Sequence, residues 1–303
     1  MVKEWFKLVR FANVLFIGGI PIVLHYAFVQ PLMGESGLST VELLLLFVSL
    51  FCIGCAGNII NDVFDQETDE INKPEKRSVG VTITENAAFW LFGILSTIGF
   101  VFFCAVAYLN DQLEYVIIYP FNLVLLWLYS MELKGRILIG NIIIAFLAST
   151  NVLIVALFDL LPVESSRSPI FNTCWNTLLV LSAFAFLSTL IREIVKDLED
   201  VKGDTASGYK TFAITFNCRT VKSVLLFLIT LDITALLWVS SLFYPDHYEV
   251  LIWTSIVLIL PLVIIAVALV LAEKATQYHK ISTWLKIHML LGLLSPIVLI
   301  YTL

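Results

Sequence analysis

Six aspartates at matched spacing are the residues most able to do chemistry in this sequence. Asp62, Asp65 and Asp69 lie in NDVFDQETD at 61–69, and Asp197, Asp200 and Asp204 lie in KDLEDVKGD at 196–204. Both triplets read D-x2-D-x3-D and stand 135 residues apart. On a continuing helix, intervals of three and four share one face. Three carboxylates on one face repel, and near a bilayer that repulsion is poorly screened, so a cation is expected among them. Hard oxygens in this number suit Mg²⁺, which takes one or two carboxylates per ion and adds phosphate oxygens and water. The alternating D-x-D-x-D-G of a calcium loop is missing. One triplet alone reads as readily as a solvated helix end; two with the same spacing point to a metal-bridged phosphate site.

Basic residues accompany both triplets. Lys73, Lys76 and Arg77 follow the first; Arg192 and Lys196 flank the second, and Lys210 follows it. A metal-bridged diphosphate needs such cations to neutralise charge as it leaves. A third segment, LYSMELKGRILIGN at 128–141, offers Tyr129, Ser130, Lys134 and Asn141. The ring face of Tyr129 suits an allylic cation, although a tyrosine at a membrane edge also serves as an interfacial anchor.

The elements that position these residues are membrane helices. Of 303 residues, 59% are hydrophobic and only 14% charged, with a mean hydropathy of +0.94, against about a quarter charged in a soluble domain. A cytosolic enzyme, a nucleic-acid binder and a secreted disulfide scaffold are thereby excluded. Runs free of Asp, Glu, Lys and Arg cover 11–34, 43–61, 86–110, 115–131, 137–158, 168–191, 250–272 and 287–303, and a ninth, 223–245, is broken only by Asp232. Each is near the ~20 residues that cross ~30 Å of hydrocarbon. The first is too long for a cleavable signal and lacks its small-residue end. The expectation is an all-α polytopic membrane protein, one domain over 1–303 with nine transmembrane helices.

With nine spans, the N-terminus and the loops after helices two, four, six and eight share one side. That side holds 17 of the 18 Lys and Arg, with only Arg167 opposite. The positive-inside rule makes it cytoplasmic, which places loops 62–85 and 192–219 there and the protein in the cell's inner membrane. Each Asp triplet follows an even-numbered helix, which suggests two four-helix repeats plus one helix. Residues 2–10, VKEWFKLVR, read as a short interfacial helix, with Trp5, Leu8 and Val9 in the headgroup boundary and Lys3, Lys7 and Arg10 wet. Cys52 and Cys55 form a C-x-x-C within a span, and His25, His247, His279 and His288 show no ligand spacing, so neither zinc nor haem nor a nucleophilic triad is expected.

Together these residues describe a membrane-embedded, Mg²⁺-dependent diphosphate site above a bundle rich in Leu, Ile, Val and Phe, suited to an isoprenoid tail. Ionising an allylic diphosphate and trapping the carbocation, with water excluded, is the reaction that fits.

At these same residues the chain resembles the UbiA-type membrane prenyltransferase family. NDVFDQETD matches the family's NDxxDxxxD and INKPEK continues it; YSMELK at 129–134, followed by Gly140 and Asn141, matches YSxxxK; KDLEDVKGD with GYKT at 208–211 matches the second Asp motif. The resemblance implies the nine-helix fold and transfer of a prenyl group from a polyprenyl diphosphate, geranylgeranyl by best match, to an amphiphilic acceptor. It implies that Asn61, Asp62, Asp65 and Asp69 hold one Mg²⁺ side of the diphosphate and Asp197, Asp200 and Asp204 the other. Lys134, Lys196 and Lys210 would contact phosphates, and Arg10, Asn58, Lys76, Arg77, Tyr129 and Arg192 complete the substrate set, with Asp65, Asp200 and Tyr129 at the chemistry. Of these, the guanidinium forks of Arg10, Arg77 and Arg192 are the candidates to hold an anionic group of the acceptor, phosphate or carboxylate. Arg10 and Asn13 match an Arg-then-Asn that suits an anionic acceptor group. Two departures are KRS at 76–78, where Arg-Pro is common, and FAI at 212–214, where Leu-Pro-Ile is common; Lys76 keeps the charge but not the guanidinium fork. LIREIVKDLEDVKGD at 190–204 and LIGNIIIAFLAS at 138–149 look most like the branch that prenylates geranylgeranylglyceryl phosphate and its bacterial relatives. The branches acting on 4-hydroxybenzoate or dihydroxynaphthoate share most of these residues and stand as the alternative. A transporter is the alternative of another class, but its charges belong at the midplane, where this sequence has only Asp232.

Overall fold

The computed structural model describes residues 2–72, 74–166, 169–243 and 246–301. Among the described residues, nine helices are long and apolar enough to cross a membrane. They are α1 (Phe11–Met33), α2 (Thr40–Phe64), α3 (Glu85–Leu109), α4 (Leu113–Met131), α5 (Ile139–Val163), α6 (Pro169–Ala206), α7 (Cys218–Ser241), α8 (Tyr248–Leu271) and α9 (Ala275–Val298). The most enclosed spans are α2 and α6, the two that carry the Asp triplets.

Two helices outrun the uncharged runs that announce them. Helix α6 continues to Ala206, 38 residues in all, or roughly 57 Å at 1.5 Å per residue. Residues 192–206, expected within a loop, are therefore helical. Helix α9 begins at Ala275 rather than 287, so that Lys280 and Lys286 lie inside it. A lysine ends a hydropathic run but does not interrupt the i to i−4 hydrogen bonds of a helix, and only the latter sets the helix end.

The two triplets differ in backbone. The second lies on the unbroken α6. The first straddles a break: α2 stops at Phe64, Asp65 caps it at φ −93° and ψ 5°, and a short helix, Gln66–Asn72, follows.

The N-terminal helix Val2–Leu8 packs one of its faces on protein. Leu8 is wholly buried in a cluster with Ile59, Val63, Val79, Ile83 and Ala88, and Trp5 and Val9 pack against it. Of the three residues that sequence assigns to the headgroup boundary, Leu8 is covered, while Trp5 and Val9 stay half-buried. Arg10 stays exposed, its side chain at 42%, and turns toward α2, as described below.

At the far end, α1 and α5 each contain a π-helical turn, His25–Val29 and Ala156–Leu160. Such turns carry extra backbone width that aims a side chain sideways. Here they face His25 Nδ1 to Asp159 Oδ2 at 3.0 Å, and the amide of Leu38 donates to Asp159 Oδ1 at 3.1 Å. Asp159 is fully buried, and these partners offset the cost of burying its carboxylate.

Candidate active site

Three segments converge on the end of the bundle where the aspartates lie. The first is the N-terminal turn. Arg10 adopts a left-handed φ of 52°, which costs a non-glycine residue about 1 kcal/mol, and its guanidinium is held by α2. Nη2 pairs with Asp62 Oδ1 at 2.6 Å and Nη1 donates to Asn58 Oδ1 at 3.4 Å. Asn58 in turn donates to the carbonyl of Val9 at 2.9 Å. Burial alone would make the Arg10 guanidinium easier to deprotonate, but the carboxylates of Asp62, Asp69 and Asp65 outweigh it and hold the group above its ordinary pKa.

The second segment follows α4. Lys134 Nζ pairs with Asp65 Oδ1 at 2.5 Å, and Asn61 donates to Asp65 Oδ2 at 2.6 Å. At the start of α5, Asn141 Nδ2 donates to Asp197 Oδ2 at 3.0 Å. The amide of Lys210 donates to the carbonyl of Gly135 at 2.8 Å, and the Lys134 ammonium lies 5.8 Å from the ring of Tyr209. The loop after α4 is thereby tied to both triplets.

The third contact joins the two triplet-bearing segments. Thr68 Oγ1 and Ser207 Oγ share a hydrogen bond of 2.7 Å. Asn72 donates to the carbonyl of Asp200 at 3.1 Å and accepts from the amide of Gly203 at 2.9 Å. Its amide lies where a Cβ on residue 203 would have to sit.

Beneath this junction lies a cavity of ≈ 390 Å³. Asn58, Asn61 and Tyr129 line its head together with Arg10, Arg192, Lys196 and Lys286. Deeper, Phe16, Ile20, Leu50, Ile53 and Phe184 make the wall apolar, but a polar band of Asn122, Thr150, Asn151 and Thr189 interrupts it. Asn151 lies ten residues beyond Asn141 on α5, or ~15 Å along the helix. Asn122 Oδ1, Asn151 Oδ1 and Thr189 Oγ1 are buried there without a hydrogen-bond partner. The apolar wall expected from sequence is present, and this polar band is an addition to it.

Glu193 is the one carboxylate on the cavity wall among the described residues. Its Oε1 accepts from Arg192 Nη1 and its Oε2 from Lys196 Nζ, each at 2.8 Å. Sequence reading passed over it, because a glutamate between Arg and Lys looks like a solvated ion pair. The signal was its spacing, four residues before Asp197 on the same helix face.

Not every expected residue reaches the cavity. Arg77 pairs with Glu70 at 2.8 Å and is not on the wall; Lys210 is exposed over a shallow hollow beside Glu132 and Arg136. The side chain of Lys76, and Lys73 and Arg167 entirely, lie outside the described residues. Cys52 and Cys55 are buried free thiols.

Among the described residues, no group of three His, Cys, Asp or Glu side chains is gathered closely enough to hold a metal alone. The donors are nonetheless carboxylate oxygens on two segments joined through Thr68 and Asn72, although none of the six aspartates lies on the cavity wall. That set fits an ion such as Mg²⁺, which takes one or two carboxylates and leaves its other positions to substrate phosphate and water, and not an all-protein cage.

Comparison with known proteins points the same way. The sequence model of the UbiA prenyltransferase family matches residues 14–293. The digeranylgeranylglyceryl phosphate synthase of Methanopyrus kandleri is 35% identical over 250 residues, covering 82% of each chain. That of Sulfurisphaera tokodaii is 31% identical over 287 residues, covering 92% of this chain and 94% of its own. A solved structure of a digeranylgeranylglyceryl phosphate synthase superposes with a TM-score of 0.66 at 27% identity, over 100% of this chain and 99% of that one. A UbiA homolog from Archaeoglobus fulgidus, bound to GPP and Mg²⁺, gives a TM-score of 0.65 over 95% of this chain and 98% of its own. At 14% identity, that likeness is one of fold.

Proposed function

The chain belongs to the UbiA prenyltransferase family, an integral membrane enzyme of prenyl transfer, and we propose that it moves a geranylgeranyl group from its diphosphate to geranylgeranylglyceryl phosphate. One observation carries this reading. The two Asp triplets meet, through Asn72 and Thr68, over a cavity with a cationic head and a largely apolar depth. A diphosphate at the triplets and an isoprenoid chain below them would satisfy both ends at once. The acceptor rests on the named relatives, and an anionic headgroup suits the cations at the cavity head.

Asn61, Asp62, Asp65 and Asp69 would hold the diphosphate from one side and Asp197, Asp200 and Asp204 from the other. Mg²⁺, when bound there, supplies neutralisation of phosphate charge. As the bond between C1 and the diphosphate oxygen breaks, its electron pair leaves with the diphosphate, and Lys134, beside Asp65, and Lys196, on the cavity wall, would take up that charge. Tyr129, on the cavity wall, offers its ring to the allylic cation. The apolar wall keeps water from the cation. The acceptor hydroxyl then attacks C1 and gives its proton to the released diphosphate, leaving an ether.

Purified protein given geranylgeranyl diphosphate and a panel of geranylgeranylglyceryl phosphate, 4-hydroxybenzoate and dihydroxynaphthoate, read by mass spectrometry, tests the acceptor. A diether phosphate is the expected product. A prenylated aromatic acid without diether moves the assignment to quinone precursors.

The Asp-bearing end is proposed to face the cytoplasm of a cytoplasmic membrane, on the distribution of Lys and Arg. In a cysteine-free background, Lys76→Cys should resist a membrane-impermeant thiol reagent in intact cells and Arg167→Cys should react. The reverse pattern overturns the orientation.

A further inference from the structure

We propose that Lys286 of α9 and Arg192 of α6 form the subsite that holds the anionic group of the acceptor. The proposal rests on the prenyl-transfer reading of the cavity and deepens it.

Lys286 reads in sequence as an ordinary basic residue of a cytoplasmic loop. The early start of α9 moves it into a membrane helix and onto the cavity wall. Its ammonium donates to Asn13 Oδ1, a neutral amide, and no carboxylate pairs with it among the described residues. It also lies within reach of the Arg192 charge, on the same wall. Two cations sharing a wall at the edge of hydrocarbon repel each other in a medium that screens weakly. A cation kept in a membrane helix under those conditions is a functional candidate whose partner is to be found.

Arg192 is half used. Its Nη1 donates to Glu193, while its Nε is buried without a partner. A buried N–H left unpaired is costly, and the cost is recovered when a ligand oxygen meets it. Glu193 holds the guanidinium by one arm and so presets the remaining donors of the fork.

The charge count agrees. The wall carries Arg10, Arg192, Lys196 and Lys286 against Glu193. Arg10 is paired with Asp62 and Glu193 offsets one more cation, which leaves two positive charges in excess. A phosphate monoester carries close to two negative charges at neutral pH. Lys286 supplies a mobile point charge and Arg192 a planar fork, a pair suited to such a group. The diphosphate of the donor lies at the Asp triplets in the same reading, so the two anions do not compete.

The experiment compares the unmodified full-length protein with Lys286→Gln and Lys286→Arg, each purified in the same detergent. Geranylgeranyl diphosphate is the donor, and geranylgeranylglyceryl phosphate or its neutral alcohol, geranylgeranylglycerol, the acceptor. Lys286→Gln should raise the KM for the phosphate acceptor about tenfold, leave the donor KM unchanged, and leave kcat/KM for the neutral alcohol unchanged. Lys286→Arg should recover most of the phosphate KM. An unchanged acceptor KM in Lys286→Gln, or an equal rise in both KM values, overturns the subsite. If the unmodified protein makes no diether but prenylates an aromatic acid, the acceptor reading fails separately. The KM of that acid in Lys286→Gln then decides the subsite by the same criterion.

Discussion

Asp65→Ala and Asp200→Ala are each expected to lower prenyl transfer by roughly 10²–10³-fold, the cost of removing one preorganised charge-stabilising group, and EDTA to abolish it. Asp65 caps α2 and Asp200 sits on α6, and the segments that bear them are tied by Asn72 and by the Thr68–Ser207 hydrogen bond. Among the described residues no three such side chains gather closely enough to hold a metal alone; substrate phosphate would complete the coordination, and losing one carboxylate would leave leaving-group charge unsupported. Lys134 would aggravate the loss in Asp65→Ala, because its ammonium pairs with that carboxylate at 2.5 Å. Both variants should insert and elute like the unmodified protein, since the apolar faces that pack α2 and α6 are untouched. Activity that survives EDTA, or full turnover in both variants, would sink the metal-assisted reading.

The second large effect is expected at a residue that bears no charge of its own. Gly203→Val should lower turnover by about 10²-fold, the scale of a 1 Å misplacement of catalytic groups. A Cβ at 203 would meet the Asn72 amide, which already bonds the backbone of Asp200 and Gly203. The side chain must either evict Asn72 or push the two triplet-bearing segments apart, and both outcomes spoil their register. Combining Gly203→Val with Asn72→Ala should cost less than the two single effects added, because both break the same contact. Strict additivity, or unimpaired turnover in Gly203→Val, would show that the clamp does not set the site.

The sequence by itself determined the nine spans, the two triplets and the end of the bundle they share, because these follow from hydropathy and from spacing within a helix. Asp62, Asp65, Lys134 and Asn141 were legible for the same reason: each stands in a short motif whose residues act together. What tertiary structure alone decided was which charges face the cavity. Lys286 and Glu193 line it, while Arg77 and Lys210 do not. Leu8 meets protein instead of lipid. The partner of Lys286 is 273 residues away and that of Arg10 is 52; no local pattern encodes such a pairing. The Asn72–Gly203 contact is equally silent, since a glycine in a helix records only the missing side chain and not what occupies its place. Uncharged runs measure where a chain prefers hydrocarbon, whereas helix ends and side-chain burial follow from backbone hydrogen bonds and from neighbours brought in by the fold.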